Sequence, residues 1–173
     1  MSIRLLTPED AEIFLAVRLR GLLEDPTAFV SDHSEEVDRE IGDVRERLVA
    51  TEGSAVFGAF VNGALAGVTG VYQEKSARLK HKVWVWGVYV QPEFRGQGLA
   101  RSLISAAMEH AYEWPEVLQV NLGVNASNHV ARRLYESLDF KEFSYEHRFM
   151  IVNGEAQDEI LMVHQKDARP ALT

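Results

Sequence analysis

Val88-Tyr89-Val90-Gln91-Pro92-Glu93-Phe94-Arg95-Gly96-Gln97-Gly98-Leu99-Ala100-Arg101 carries the strongest signal in the chain. Its first residues close an apolar run, Val83 to Val90, rich in aromatic and β-branched side chains. Such a run predicts a buried strand, and Pro92 ends it. From Gly98 onward Leu99, Leu103, Ile104, Ala107 and Ala111 recur at helical spacing. Between strand and helix, Gly96 and Gly98 let the backbone approach a ligand with no Cβ in the way. The helix behind them offers unpaired N–H groups and the positive end of its dipole to an anion. Arg95 and Arg101 add charge on either side, so a pyrophosphate fits the turn. A glycine-rich turn taken alone also serves geometry without any ligand. The spacing is not G-x-G-x-x-G, and no Gly-Lys-Ser/Thr follows, which disfavours a dinucleotide fold and a P-loop.

Working outward, Ile3 to Leu6 predicts a short strand. Thr7 suits an N-cap, with Pro8 at the first helical position and Glu9 and Asp10 in the first turn. That helix runs to about Leu23 and breaks at Asp25-Pro26. A second helix is expected over Glu35 to Val49, with Val37, Ile41, Val44 and Leu48 as its core stripe. Ala55 to Tyr72 is uncharged over 18 residues, but Asn62-Gly63 divides it into a hairpin and it is not read as a membrane span. Beyond the central helix, Leu118, Val120, Leu122 and Val124 alternate with polar residues or glycine as in a strand. A helix over Ser127 to Leu138 follows. Phe143 to Val152 and Glu159 to His164, joined at Asn153-Gly154, make a terminal hairpin. A strand, turn, helix and strand at the centre imply a parallel pair joined by a crossover, with antiparallel hairpins beside it. The fold class is therefore α/β (α+β), one domain over residues 1–165 with a flexible tail at 166–173.

The 173 residues include 46% hydrophobic and 25% charged residues, enough for one sizeable core. A net charge of −8 argues against a nucleic-acid surface and suits cationic amines, or simply solubility. The absence of cysteine removes disulfides, thiolate metal sites and a cysteine nucleophile. The histidines show no metal-ligand spacing, so no metal is expected. No leader sequence is visible, and a cytoplasmic protein without membrane contact is expected.

A second segment, Asn125-Ala126-Ser127-Asn128-His129-Val130-Ala131-Arg132-Arg133-Leu134-Tyr135, places Asn128, Arg132 and Tyr135 within about 60° on a helix. Val130, Ala131, Leu134 and Leu138 fall on a separate face, expected to be core. A solvated polar face with a tyrosine at its edge is the plain alternative.

The two segments together resemble the GCN5-related N-acetyltransferase (GNAT) superfamily. Arg95, Gly98 and Ala100 match its Gln/Arg-x-x-Gly-x-Gly/Ala pattern. Asn128 to Tyr135 match its Asn-x-x-Ala-x-x-Leu-Tyr motif. The resemblance implies a mixed, mostly antiparallel sheet of about seven strands, its central parallel pair splayed around acetyl-CoA, with about four flanking helices. By the same resemblance Tyr89 and Val90 line the pantetheine arm through their backbone. Arg95, Gly96, Gln97, Gly98, Leu99, Ala100 and Arg101 hold the diphosphate, and Asn128 bonds the arm or its phosphate. The Val90 N–H stabilises the oxyanion and Tyr135 is the general acid. Arg132 or Arg133 reaches the 3′-phosphate, or neither does. Leu138-Asp139-Phe140 departs from the family's Leu-Gly-Phe, and Asp139 is expected to take the left-handed C-cap at some cost.

The implied reaction moves the acetyl group of acetyl-CoA to a primary amine of a small molecule or peptide. With no cysteine, direct attack in a ternary complex is expected. The general base is the gap: the strand before the motif offers Trp84, Val85, Trp86 and Gly87, and no carboxylate. His81 is a candidate by its ordinary pKa, with Glu24, Glu74 or waters as alternatives. Phe29 and Trp86 are candidates for the acceptor pocket. Family analogy also suggests a homodimer through the C-terminal strands. Two other readings stay open: a GNAT-fold CoA-binding module with little catalysis, and another anion-binding α/β protein.

Overall fold

A computed structural model describes residues 1–166. Among the described residues, seven strands form one sheet in the order β1-β2-β3-β4-β5-β7-β6. They are β1 (Ser2–Leu5), β2 (Ser54–Val61), β3 (Ala64–Gln73), β4 (Lys82–Val90), β5 (Gln119–Asn125), β6 (Lys141–Val152) and β7 (Glu155–Gln165). Only β4 and β5 run parallel, and every other neighbouring pair is antiparallel. Among the described residues the α-helices are α1 (Ala11–Glu24), α2 (His33–Glu36), α3 (Ile41–Arg47), α4 (Leu99–Glu113) and α5 (His129–Glu136), with 3-10 turns at Pro8–Asp10, Pro26–Ala28 and Pro92–Phe94. None is long and apolar enough to cross a membrane.

Both hairpin turns follow their sequence. Asn62 and Gly63 (φ 51° and 83°), like Asn153 and Gly154 (φ 50° and 83°), take the paired positive φ that closes a two-residue hairpin without splaying its strands. Helix α4 lays Leu99, Leu103, Ile104, Ala107 and Ala111 on one face of the sheet, against Val83, Val85, Val120, Leu122 and Val124. Helices α1 and α3 cover the other face with Phe14, Val17, Leu22, Val44 and Leu48, packed on Val56, Val68 and Tyr89. Strand β6 closes one edge of the sheet and leaves Phe143, Tyr145 and Ile151 exposed.

The single helix expected over Glu35 to Val49 is instead two short ones, interrupted at residues 37–40. An Asp32/Glu35 capping box fixes the start of α2. Glu36 at its end turns inward to meet Arg18 of α1 at 2.8 Å, with both side chains almost fully buried. The chain must then leave the helical path before Ile41 can start α3 and bury Val44 and Leu48. Val37, expected in the core, lies in the break and is exposed. The expected tail at 166–173 falls mostly outside the described residues. Lys166 is tied down, its N–H donating to the Leu118 carbonyl at 3.0 Å and its Nζ to that of Tyr112 at 3.3 Å.

Candidate active site

The parallel pairing of β4 and β5 lasts only from Lys82↔Gln119 to Trp84↔Asn121. Beyond that point the strands part. Gly87 has a positive φ of 66°, and the register against β3 shifts nearby, between Val68↔Tyr89 and Gly70↔Trp86. This bulge bends β4 away from its parallel neighbour. A cavity of about 720 Å³ opens in the gap. The sequence predicts a strand buried throughout, yet Trp86, Val88 and Val90 are only half-buried, because β5 no longer pairs with this part of β4.

Backbone alternation sets what β4 offers to the gap. The N–H of Gln91 bonds the Ala66 carbonyl of β3 at 2.9 Å. Strand N–H groups point alternately to either side, so those of Val88 and Val90 face the gap. The Val90 carbonyl on that side accepts from Arg95 Nε at 2.9 Å.

The glycine turn forms one wall. Gly96 and Gly98 sit at φ 76° and 77°, a left-handed conformation that side chains disfavour, and a Cβ on either would meet nothing within 4 Å. The glycines are thus required by backbone shape, and the space beside them is open. Gly98 caps α4 without any side-chain partner. Among the described residues, the N–H groups of Gly96, Gln97 and Gly98 make no backbone hydrogen bond. The first N–H groups of α4 have no partner within the helix. Together they form a cluster of free donors at the positive end of a 15-residue helix.

The two arginines of the turn are less free than their charge suggests. Arg95 Nη2 pairs with Asp25 at 2.7 Å, and its Nε holds the Val90 carbonyl, so Arg95 braces the turn against β4 and the end of α1. Arg101 bonds the Ser137 hydroxyl and carbonyl and ties α4 to α5. Arg20 adds a second brace, reaching Gln91 at 2.5 Å, Glu93 at 2.7 Å and Glu24 at 2.8 Å. The sequence marks Asp25 only as part of a helix break, and it gives no sign that Asp25 and Arg20 brace this turn. Arg95, Gln91 and Glu93 lie about 70 positions from them, and no local pattern marks such pairs.

Helix α5 forms the opposite wall with Asn128, Val130, Ala131, Leu134 and Tyr135. Asn128 is its N-cap, its Oδ1 accepting from the Ala131 N–H at 3.1 Å. Two expectations about this helix fail. Val130 is not core: it is 80% exposed at the cavity mouth. Arg132 does not share the cavity with Asn128 and Tyr135. It turns to Glu142 at 3.4 Å, and Arg133 is not among the lining residues either. Asp139 does take the left-handed position, at φ 64°, and the Phe140 N–H closes the cap on the Tyr135 carbonyl at 3.1 Å.

Tyr135 packs its ring edge-on to Phe140, 6.0 Å between centroids. Burial pushes its phenol up to about 12, so it keeps its proton at neutral pH. Among the described residues its hydroxyl has no hydrogen-bond partner, and the residue lines the cavity. Tyr89 lines it too, but its hydroxyl points away and donates to Glu24 at 2.5 Å. Trp86 reaches the cavity beneath the Arg47 guanidinium, 4.2 Å above its ring.

The other candidates lie elsewhere. His81 sits at the opposite end of β4, where its carbonyl accepts from the N–H groups of Leu118 and Gln119, and it does not line the cavity. Phe29 is buried between Tyr89 and Arg18, also outside the lining. Glu24 accepts from Tyr89 and Arg20, and these hydrogen bonds hold its carboxyl below the ordinary range, which suits it poorly to act as a base. Glu74 accepts from Trp84 Nε1 at 3.0 Å near the start of β4. No group of His, Cys, Asp and Glu able to hold a metal occurs among the described residues.

A family model described as "Acetyltransferase (GNAT) family" matches residues 19–140, which hold the splayed strands, the glycine turn and α5. A GNAT-family acetyltransferase from Streptococcus pneumoniae superposes with a TM-score of 0.84 at 21% identity, covering 95% of this chain and 99% of that one. The protein yncA from Salmonella typhimurium, solved with its cofactor acetyl-CoA, gives 0.80 at 21% identity over 100% and 99% of the two chains. A ribosomal-protein-alanine N-acetyltransferase from Brucella melitensis gives 0.78 at 22% identity over 96% and 100%. In sequence, the spermidine N(1)-acetyltransferase of Vibrio cholerae is 30% identical over 78 residues, 45% of either chain. The match thus spans under half the length of that relative. With the family pattern running through both walls of the cavity, the chain belongs to the acetyltransferase (GNAT) family.

Proposed function

We propose that the chain transfers the acetyl group of acetyl-CoA to a primary amine of a small molecule or a peptide, by direct attack in a ternary complex. One observation carries this reading: the gap between β4 and β5 is walled on one side by free N–H donors at the start of α4 and on the other by Tyr135 of α5. The donors suit a diphosphate. The open gap suits an extended arm that continues the sheet where β5 has left it. The Val90 N–H, turned into the gap, is the donor for the developing oxyanion. Tyr135 meets the departing sulfur with a hydrogen bond and then its proton. Arg95 and Arg101 brace the walls and add positive potential; the backbone does the binding.

The acceptor is a cation before it reacts, with an amine pKa of about 10.4 for a lysine-type group. The acidic net charge of −8 favours its approach. Spermidine and an alanine-initiated peptide are the first acceptors to try, given what the relatives are named for. The test measures thiol release from acetyl-CoA against a panel holding both, beside a calorimetric titration of acetyl-CoA. Micromolar binding with turnover of at least one amine supports the reading. Binding without turnover on any amine reduces the chain to a CoA-binding module, and no binding at millimolar ligand overturns the proposal. In the same assay Tyr135→Phe is expected to lower kcat about 100-fold and leave acetyl-CoA affinity nearly unchanged.

A further inference from the structure

The acetyl-transfer reading leaves the acceptor's proton without a destination, since His81, Glu24 and Glu74 are all misplaced or engaged. A carboxylate not singled out by its sequence pattern occupies the right surface. Leu122 and Val124 of β5 are buried with α4, so Gly123 between them faces the opposite side of the sheet, the side that Trp86 shares. Gly123 and Asn125 both line the cavity; Glu159 is not itself a lining residue and approaches it only beside Gly123. Glu159 of β7 is the register partner of Asn125. Its side chain leans across the strands into the space a Gly123 side chain would fill: a Cβ built on Gly123 would collide with Glu159 Oε1. The glycine therefore leaves room for a carboxylate delivered from the neighbouring strand. Among the described residues that carboxylate has no hydrogen-bond or ion-pair partner.

We infer that Glu159 is the catalytic carboxylate of the acceptor site, binding the incoming ammonium and taking its proton before attack. This rests on the acetyl-transfer reading above. The ammonium gives one proton to Glu159, and the neutral nitrogen attacks the thioester carbon. The N–C bond forms and the C–S bond breaks. The sulfur leaves as thiol with the proton of Tyr135, and the surplus proton of the amide nitrogen passes to the Tyr135 phenolate, directly or through water. Glu159 returns to carboxylate by releasing its proton to water. Its half-buried setting suits a proton acceptor. Burial first, then the negative charge of Glu146 opposite on β6, push its carboxyl up to about 7. Gly123, Asn125, Gln157 and Leu161, its neighbours on β5 and β7, carry no charge. A base poised near the working pH accepts and releases protons most effectively.

The experiment follows log kcat against pH with acetyl-CoA and the best amine of the panel, in the wild type, Glu159→Gln and Glu146→Gln. A ¹³C-carboxyl NMR titration and acetyl-CoA calorimetry accompany it. The wild type should lose rate as pH falls through about 7. Glu159→Gln should lose that limb and about 100-fold in kcat, with acetyl-CoA affinity unchanged. Glu146→Gln should shift the limb to lower pH by removing the like charge. A Glu159→Gln enzyme that keeps both limb and rate overturns the proposal, and so does a Glu159 carboxyl that titrates near the ordinary value of about 4.3. Failure of the donor reading shows separately, as absent acetyl-CoA binding in the wild type.

Discussion

Gly98→Ala separates what the turn does for the fold from what it does for a ligand. Gly98 sits at φ 77°, and an added Cβ would meet nothing within 4 Å. The substitution therefore costs only the left-handed conformation, about 1–2 kcal/mol. For a chain of this size that lowers Tm by about 2–8 °C, at about 2–4 °C per kcal/mol. Gly63, in the β2–β3 turn outside the cavity lining, is a matched control: its φ is 83°, and its Cβ would also meet nothing within 4 Å. Gly63→Ala should cost the same stability. The two variants should part in acetyl-CoA calorimetry, because a methyl on Gly98 stands among the free N–H donors. Gly98→Ala should weaken binding at least tenfold, about 1.4 kcal/mol or more, and Gly63→Ala should leave it unchanged. Equal affinity in the two variants, at equal loss of Tm, would refute the claim that the turn's amides hold the ligand.

Three further outcomes rest on the same geometry. Glu36→Ala leaves the buried Arg18 charge without its partner and should cost about 3–5 kcal/mol in urea denaturation; a loss under about 1 kcal/mol would mean the pair is solvated. Burial pushes the Glu36 carboxyl up, but the Arg18 hydrogen bonds and the charges of Arg18 and Arg47 pull it further down, below the ordinary range. That stability is therefore present above the unfolded carboxyl's pKa and is lost as pH falls through the lower folded one. The opposite sign holds for Glu159, which is raised by burial and Glu146. The unfolded carboxyl ionises first, so its contribution declines as pH rises from about 4.3 to about 7, and Glu159→Gln should raise Tm at pH 8 relative to the wild type. Asp139→Gly relieves the left-handed cap at φ 64° and should stabilise by up to about 1 kcal/mol in urea, with kcat unchanged; a stability loss would show that the Asp139 side chain supports the cap.

The sequence was most legible where one local rule sets the backbone. Asn62-Gly63 and Asn153-Gly154 specify their hairpins, and the apolar spacing of α4 specifies its face. Gly96 and Gly98 mark a turn whose shape demands them. Legibility ended where distant residues decide. The break between α2 and α3 depends on Glu36 reaching back to Arg18, a tertiary ion pair that overrides helical periodicity. Arg95 and Arg101 read as phosphate ligands by proximity, yet their sites are partly occupied by Asp25 and Ser137, which no motif connects to them. Val130 read as core because it is apolar at helical spacing, but the parting of β4 and β5 leaves it at an opening. Glu159 was hidden because a different strand sets its surroundings. Its significance lies in the empty side-chain position of Gly123 on another strand, which only the β5–β7 register reveals.

The central claim is that acetyl-CoA lies in the gap between β4 and β5 with its diphosphate on the turn at the start of α4. Amide chemical shifts of ¹⁵N-labelled protein titrated with acetyl-CoA test it most directly. Saturable shifts are expected at Gly96 to Arg101 and at Val88 and Val90, with the β2–β3 turn at Gly63 unmoved. Shifts that leave the glycine turn untouched, or no shifts at millimolar acetyl-CoA, would contradict it.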